Sequence, residues 1–163
     1  MNEFKTGAIA ALLDEYRKAI DELKQVITKI SDSALNAIVD EKTPDENCKS
    51  ISTILGHVVQ SGYSYAINIR NLKGAQLPFR EVILRPTYRE YLIDLDDLFN
   101  YTSEAFLTIA NNELEEFDAS KKILSRWGQV YDIEQMMEHA IVHILRHRRQ
   151  IEKFWHILQT ANK

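Results

Sequence analysis

Along four long stretches of this chain, apolar residues recur in steps of three and four. That spacing puts them on one face of an α-helix. The first stretch runs from about residue 2 to residue 30, with Ile9, Leu13, Tyr16, Ile20, Leu23, Ile27 and Ile30 as its buried seam. Ser31-Asp32 opens a polar stretch, and residues 40–49 (DEKTPDENCK) are charged and hold Pro44, which predicts a surface loop. A second helix is predicted from Ser50, a good N-cap residue, with Ile51, Leu55, Val58, Gly62, Tyr65, Ile69 and Leu72 inward and Gly74 as its stop. The connector GAQLPFREVILRP follows, and its REVIL portion has the composition of an extended segment. The third helix starts after Pro86 with Thr87 as cap. It carries Tyr88, Leu92, Leu95, Phe99, Thr102, Phe106 and Ile109 inward and fades at Asn111-Asn112. Residues 113–131 read as irregular. Asp132 then caps a fourth helix, and Gln135 completes a capping box. Its inward positions are Ile133, Met137, Ala140, Ile144, His147, Ile151, Phe154 and Leu158.

Four amphipathic helices with no strand signal predict an all-α fold, a four-helix bundle, with 1–163 as a single domain. The connections are longer than tight antiparallel hairpins need, so crossovers are allowed.

Composition narrows the function classes. Apolar content is 45% and charged content 27%, as in an ordinary globular domain rather than a disordered chain. No apolar run approaches a membrane span, and the N-terminal residues do not read as a signal peptide. A net charge of -4 has the wrong sign for a nucleic-acid binder. The run Arg146, His147, Arg148, Arg149 scatters around the helix and is offset by Glu134, Glu138 and Glu152, so it reads as a solvated face. Cys48 is the only cysteine, which rules out an intrachain disulfide and predicts a cytoplasmic location. It sits in an acidic loop that should raise its pKa, and it reads as incidental.

The chemistry of the sequence lies in its histidines. His139, His143 and His147 are spaced four apart on the fourth helix. Imidazoles at i and i+4 stand on one face and can grip one metal ion. His147 falls where an apolar knob belongs, between Ile144 and Ile151. At about 100° per residue, His143 lies about 40° from it at the seam edge, and His139 a further 40° or so towards solvent. His139 therefore reads as a solvated residue or, at most, a partner to a ligand. His57, on the second helix, has the small neighbours Gly56 and Ser61, which leave room for a ligand. A lone histidine on a half-apolar face is more often a hydrogen-bonded core residue than a ligand, and His156 beside Trp155 reads as surface. Glu-x-x-His and His-Glu-x-x-His motifs, cysteine clusters, calcium loops and phosphate-binding Gly-rich loops are absent from the sequence.

The stretch EHAIVHILRHRRQIEKF resembles the His-x-x-x-His-Arg-x-Gln-Ile signature of the DinB-like superfamily. SISTILGHVVQSGYSYAINIR is similar to that family's other landmark, a histidine early in helix two. The resemblance covers nearly the whole chain. It implies an up-down-down-up bundle, often a homodimer, with His57, His143 and His147 holding a divalent ion such as nickel, zinc or iron. It also implies a metal-dependent thiol transferase or isomerase acting on a small-molecule substrate with a low-molecular-weight thiol; the expectation of no contact with nucleic acid or membrane rests on the charge and the lack of a long apolar run. One position departs from the signature: the family commonly has Gly where Arg149 stands, which narrows the pocket or brings a positive charge to its rim. Set against this enzyme is a non-catalytic helical module, a ligand-binding or stress protein whose histidines are structural or vestigial.

Overall fold

The computed structural model describes residues 6–161. Residues 2–5 of the first predicted helix lie outside the described residues. The remainder forms α1, Ala8–Ile27, and all seven predicted seam residues are buried, Ile30 from the turn just past the helix end. The backbone N–H of Ile9 donates to Asn111 Oδ1 at 2.9 Å. Asn111 thus serves the free amides of α1 instead of ending the third helix. A short helix, α2 (Asp32–Asn36), follows within the predicted polar stretch. Ser31 caps it and Leu35 anchors it in the core. One buried residue in five gives no periodic signal, which is why the sequence reads as polar there.

α3, Ile51–Leu72, starts with a reciprocal Ser50–Thr53 capping box. It is buried on nearly every side, through Ser52, Ser61 and Ser64 as well as its aliphatic seam. A helix enclosed all round belongs at the centre of a fold. Leu72 is the exception among its predicted seam residues. It is exposed, at the edge of a shallow pocket it shares with Glu113 and Ile133. Gly74, at φ 94°, ends the helix as predicted. Gly62 is required by contact: a Cβ there would lie 2.5 Å from Leu98 Cδ2, so the missing side chain sets how closely α3 and α4 pack.

α4, Tyr88–Ala105, has the predicted Thr87 cap, completed by Glu90, but ends four residues before Ile109. Its buried face is rotated from the predicted one. Tyr91 and Leu98 are fully buried, whereas Tyr88 and Leu92 are only half-buried. The Tyr91 hydroxyl sets the rotation, since it donates to the Ser52 carbonyl at 2.8 Å and accepts from the Arg85 N–H at 3.0 Å. α5, Ile133–Ala161, begins at the predicted capping box. The Gln135 N–H donates to Asp132 Oδ1, and the Asp132 N–H donates to Gln135 Oε1.

Side-chain pairs give the helix directions. Ser52 meets Tyr91 and Arg70 meets the Tyr101 carbonyl, so α3 and α4 run the same way. Ile9 meets Asn111 while Lys24 meets Asp96, so α1 opposes α4. His57 meets His147 while Tyr65 meets His139, so α5 opposes α3. α1 and α3 stand on opposite corners, each packed against α4 and α5. Because α3 and α4 are parallel, the chain between them must travel back along a 22-residue helix, about 33 Å. Residues 75–85 do this as extended backbone without joining a strand pair, which is how the REVIL segment resolves. Before α5, a small hairpin pairs β1 (Ile123–Leu124) with β2 (Val130–Tyr131). Two-residue strands are too short to show alternation, so the sequence carries no sign of it. No described helix is long and apolar enough to cross a membrane.

Candidate metal centre

His57 lies in the second turn of α3, and His143 and His147 lie one turn apart near the middle of α5. The opposed directions of these helices bring all three to the same level. His57 Nε2 is 3.1 Å from His143 Nε2, which is 3.2 Å from His147 Nε2. One ligand atom from each residue falls within 4.8 Å of the others. Two nitrogens each about 2.1 Å from one ion lie about 3.0 Å apart at a right angle and about 3.4 Å apart at the tetrahedral angle. The two separations from His143 Nε2 fall between these limits. The ring planes are inclined at 62–79° to one another, and the short Nε2 separations put nitrogens at the point where they converge.

The surrounding hydrogen bonds favour the same arrangement. His147 Nδ1 is 2.9 Å from Gln150 Oε1. The amide oxygen can only accept, so the ring proton sits on Nδ1 and Nε2 is left with its lone pair. His57 Nδ1 is 3.4 Å from Ser61 Oγ. His143 Nδ1 is buried with no partner among the described residues. Without a cation, His143 Nε2 has a single in-plane lone pair or N–H and can hydrogen-bond only one of its two Nε2 neighbours, whichever tautomer it takes. A cation at the convergence point gives all three Nε2 lone pairs a common partner. The donor set therefore fits a transition metal.

Burial keeps the cluster unprotonated. It drives the His143 pKa down to about 2, with His147, His57, His139 and Arg146 adding repulsion. His57 is lowered by burial and then by His147, against a smaller opposing pull from Asp45. His147 is lowered by burial, with the Gln150 hydrogen bond opposing. Neutral imidazole is the form that binds metal.

The three nitrogens face an open cleft of ≈ 840 Å³. Its aromatic wall corrects the expectation for His139, which is not a solvated residue. Trp127, from the tip of the hairpin, stacks on the His139 ring at 4.8 Å and 23°, and Tyr65 meets the same ring edge-on at 5.3 Å. The predicted role for Gly56 is corrected too. It faces away from the cluster and makes room for Leu84 of the 75–85 connector, with a would-be Cβ 2.8 Å from Leu84 Cδ2. Ser61 does touch His57 as predicted. His156 is exposed and takes no part.

Several lining residues were not foreseen, among them Arg146, which the sequence put on a solvated face, and two from a distant loop. Asp45 and Cys48 come from the predicted surface loop, whose 3-10 turn returns beside α3. Asp45 is spoken for: it accepts from the Asn47 N–H at 3.0 Å and from Cys48 Sγ at 3.4 Å. The Cys48 thiol is pushed up, as its loop suggested, but chiefly by burial and only secondarily by Asp45. No signal in the sequence ties a loop at 45–48 to a helix at 143–150.

Compared with known families, the chain matches the family model described as DinB family over residues 1–158. No curated protein matches it.

Proposed function

The chain belongs to the DinB family, and from that membership and the histidine geometry we propose that it is a divalent-metal-dependent enzyme that activates a thiol or water. The observation carrying this reading is the convergence of three Nε2 atoms, 3.1 and 3.2 Å apart, on one face of a large open cleft. A structural site would be closed by a fourth protein ligand, whereas three imidazoles beside a cavity leave positions free for a substrate. A nickel, zinc or iron ion held there would supply a Lewis acid that lowers the pKa of a thiol or water brought against it.

The chain's own side chains do the rest. His57, His143 and His147 provide neutral nitrogen ligands at pH 7. Gln150 fixes the His147 tautomer, so its Nε2 is always available. Trp127 stacked on His139, with Tyr65 edge-on to both, forms an aromatic wall that orients a substrate and limits water. Asp45 is the carboxylate nearest at hand, but its two hydrogen bonds hold it as an organiser of the loop rather than a free base. The reaction class this suits is transfer of a low-molecular-weight thiol to an electrophilic small molecule, or a thiol-assisted isomerisation.

The test is metal content by elemental mass spectrometry on untagged protein purified without chelator, beside a His143→Ala/His147→Ala variant. Near-stoichiometric nickel, zinc or iron, lost in the variant, is expected. Thiol transfer to a generic electrophile should then stop on chelation and return with the same metal. Full activity in metal-free protein would overturn the reading.

A further inference from the structure

The chain carries 24 acidic and 20 basic residues, yet its large cleft has the opposite balance. Arg126, Arg146, Arg149 and Lys153 line it, against the single carboxylate of Asp45. None of these four cations makes an ion pair among the described residues. Elsewhere ion pairing is the rule, and apart from these four only Lys29, Lys42, Arg80 and Arg89 among the described lysines and arginines lack an acidic partner. Arg80 and Arg89 are laid over tyrosine rings, and of the four in the cleft only Arg126 is laid over an aromatic ring, that of Phe79. Half of the unpaired cations are thus gathered at one cavity.

Their placement follows from helix geometry. Arg146, Arg149 and Lys153 are three and four apart on α5, so they form a ridge beside the ridge of His143, His147 and Gln150. Arg126 reaches the cleft from the hairpin tip, next to Trp127. Positive charge therefore comes to the cleft of the three histidines from two separate elements. Arg146 lies close enough to oppose protonation of both His143 and His147. Exposed like charges repel, and a fold gains nothing from collecting them unless an anion is shared among them.

We propose that this cleft is an anion-recognition subsite, and that the small molecule acted on beside the histidines carries a carboxylate or phosphate group held by Arg146, Arg149, Lys153 and Arg126. The role as a substrate subsite rests on the metal-enzyme reading above; the capacity to bind an anion does not. The ligand's reactive end points to the three Nε2 atoms, its flat or apolar middle lies along Trp127, and its charged end sits at the rim. Guanidinium groups suit this task because they pair with carboxylate and phosphate oxygens two at a time.

The test is calorimetric titration of the protein at low salt with succinate, with inorganic phosphate and with neutral succinamide, with metal content measured on each sample. The variants are Arg149→Glu and Arg126→Glu/Arg149→Glu, whose side chains lie at the surface and outside the core. At least one of the two anions should bind and succinamide should not; which anion binds tells carboxylate from phosphate recognition. Affinity should fall roughly three- to tenfold in Arg149→Glu and further in the double variant, since each exchange removes one charged hydrogen-bonding group in a partly screened setting. Metal content should stay unchanged in both. Metal-loaded protein that binds neither anion, binds succinamide equally well, or binds an anion with the same affinity in both variants would overturn the proposal. Anion binding that responds to the variants in protein unable to hold metal would keep the subsite and dismiss the metal-enzyme reading instead.

Discussion

Replacing His147 by Leu should stabilise the metal-free protein and destabilise the metal-loaded one, and the crossing of these effects is the sharpest test of the site. His147 is 8% exposed and sits between Ile144 and Ile151 on the core face of α5. Without metal, the exchange forfeits the hydrogen bond to Gln150, about 1 kcal/mol. It gains a buried aliphatic side chain, about 2 kcal/mol. The net is about 1 kcal/mol in favour of leucine, or roughly 2–4 °C in the unfolding midpoint for a chain of this size. With metal, the balance reverses. At free metal 1,000-fold above its dissociation constant, the wild type gains about 4 kcal/mol, roughly 8–16 °C. If losing one of three ligands weakens binding about a thousandfold, the variant gains only about 0.4 kcal/mol at the same concentration. The assay is thermal unfolding followed by circular dichroism, with chelator and with nickel, zinc or ferrous ion. The reasoning fails if the wild-type midpoint moves with none of these ions, or if the variant keeps the full metal-dependent shift. It also fails if the leucine variant is markedly less stable without metal, because His147 would then be a structural residue.

Three further outcomes are expected. The metal-free protein should lose stability as pH falls. The folded state holds His57, His143 and His147 below the ordinary imidazole value, so below about pH 6.5 the unfolded chain binds protons that the fold excludes. This contribution is fully present above about pH 6.5 and is lost on acidification, over a window that extends to about pH 2 for His143. The His143 part of the slope is about 1.4 kcal/mol per pH unit, and urea midpoints between pH 7.5 and pH 5 that do not fall would contradict it. Gln150→Ala should weaken metal binding about 10- to 100-fold by freeing the His147 tautomer, while Gln150→Glu, which still accepts from Nδ1, should retain it; competition against a chromophoric chelator measures both. Gly62→Ala should cost about 1–3 kcal/mol in chemical denaturation without altering metal stoichiometry, because its Cβ meets the fully buried Leu98 at 2.5 Å.

The helices were legible because burial repeats with the helical turn. All seven seam residues read from α1 are buried, and the caps at Ser50, Thr87 and Asp132 fall where the sequence puts them. On α5 the odd histidine in an apolar row was itself the signal, since a polar residue at a core position calls for a partner. The sequence was misread where a local pattern left a choice that distant residues decided. Tyr88 and Tyr91 both suit the inner face of α4, and the hydroxyl contacts of Tyr91 with Ser52 and Arg85 settle it. His139 points outward by its angle on an isolated helix, but the hairpin folds Trp127 over it.

The sequence by itself therefore determined the four long helices, the caps that start α3, α4 and α5, most of their inner faces and the three histidines, because each is written in spacings of a few residues. Only the tertiary structure decided that His57 meets His143 across 86 positions of chain, that Asp45 and Cys48 join the cleft, and that Arg126 and Arg149 both line it. Those meetings depend on the parallel course of α3 and α4 and the path of the connectors between helices. Loop closure costs nearly the same for many such paths, so no local pattern in the chain records which one is taken.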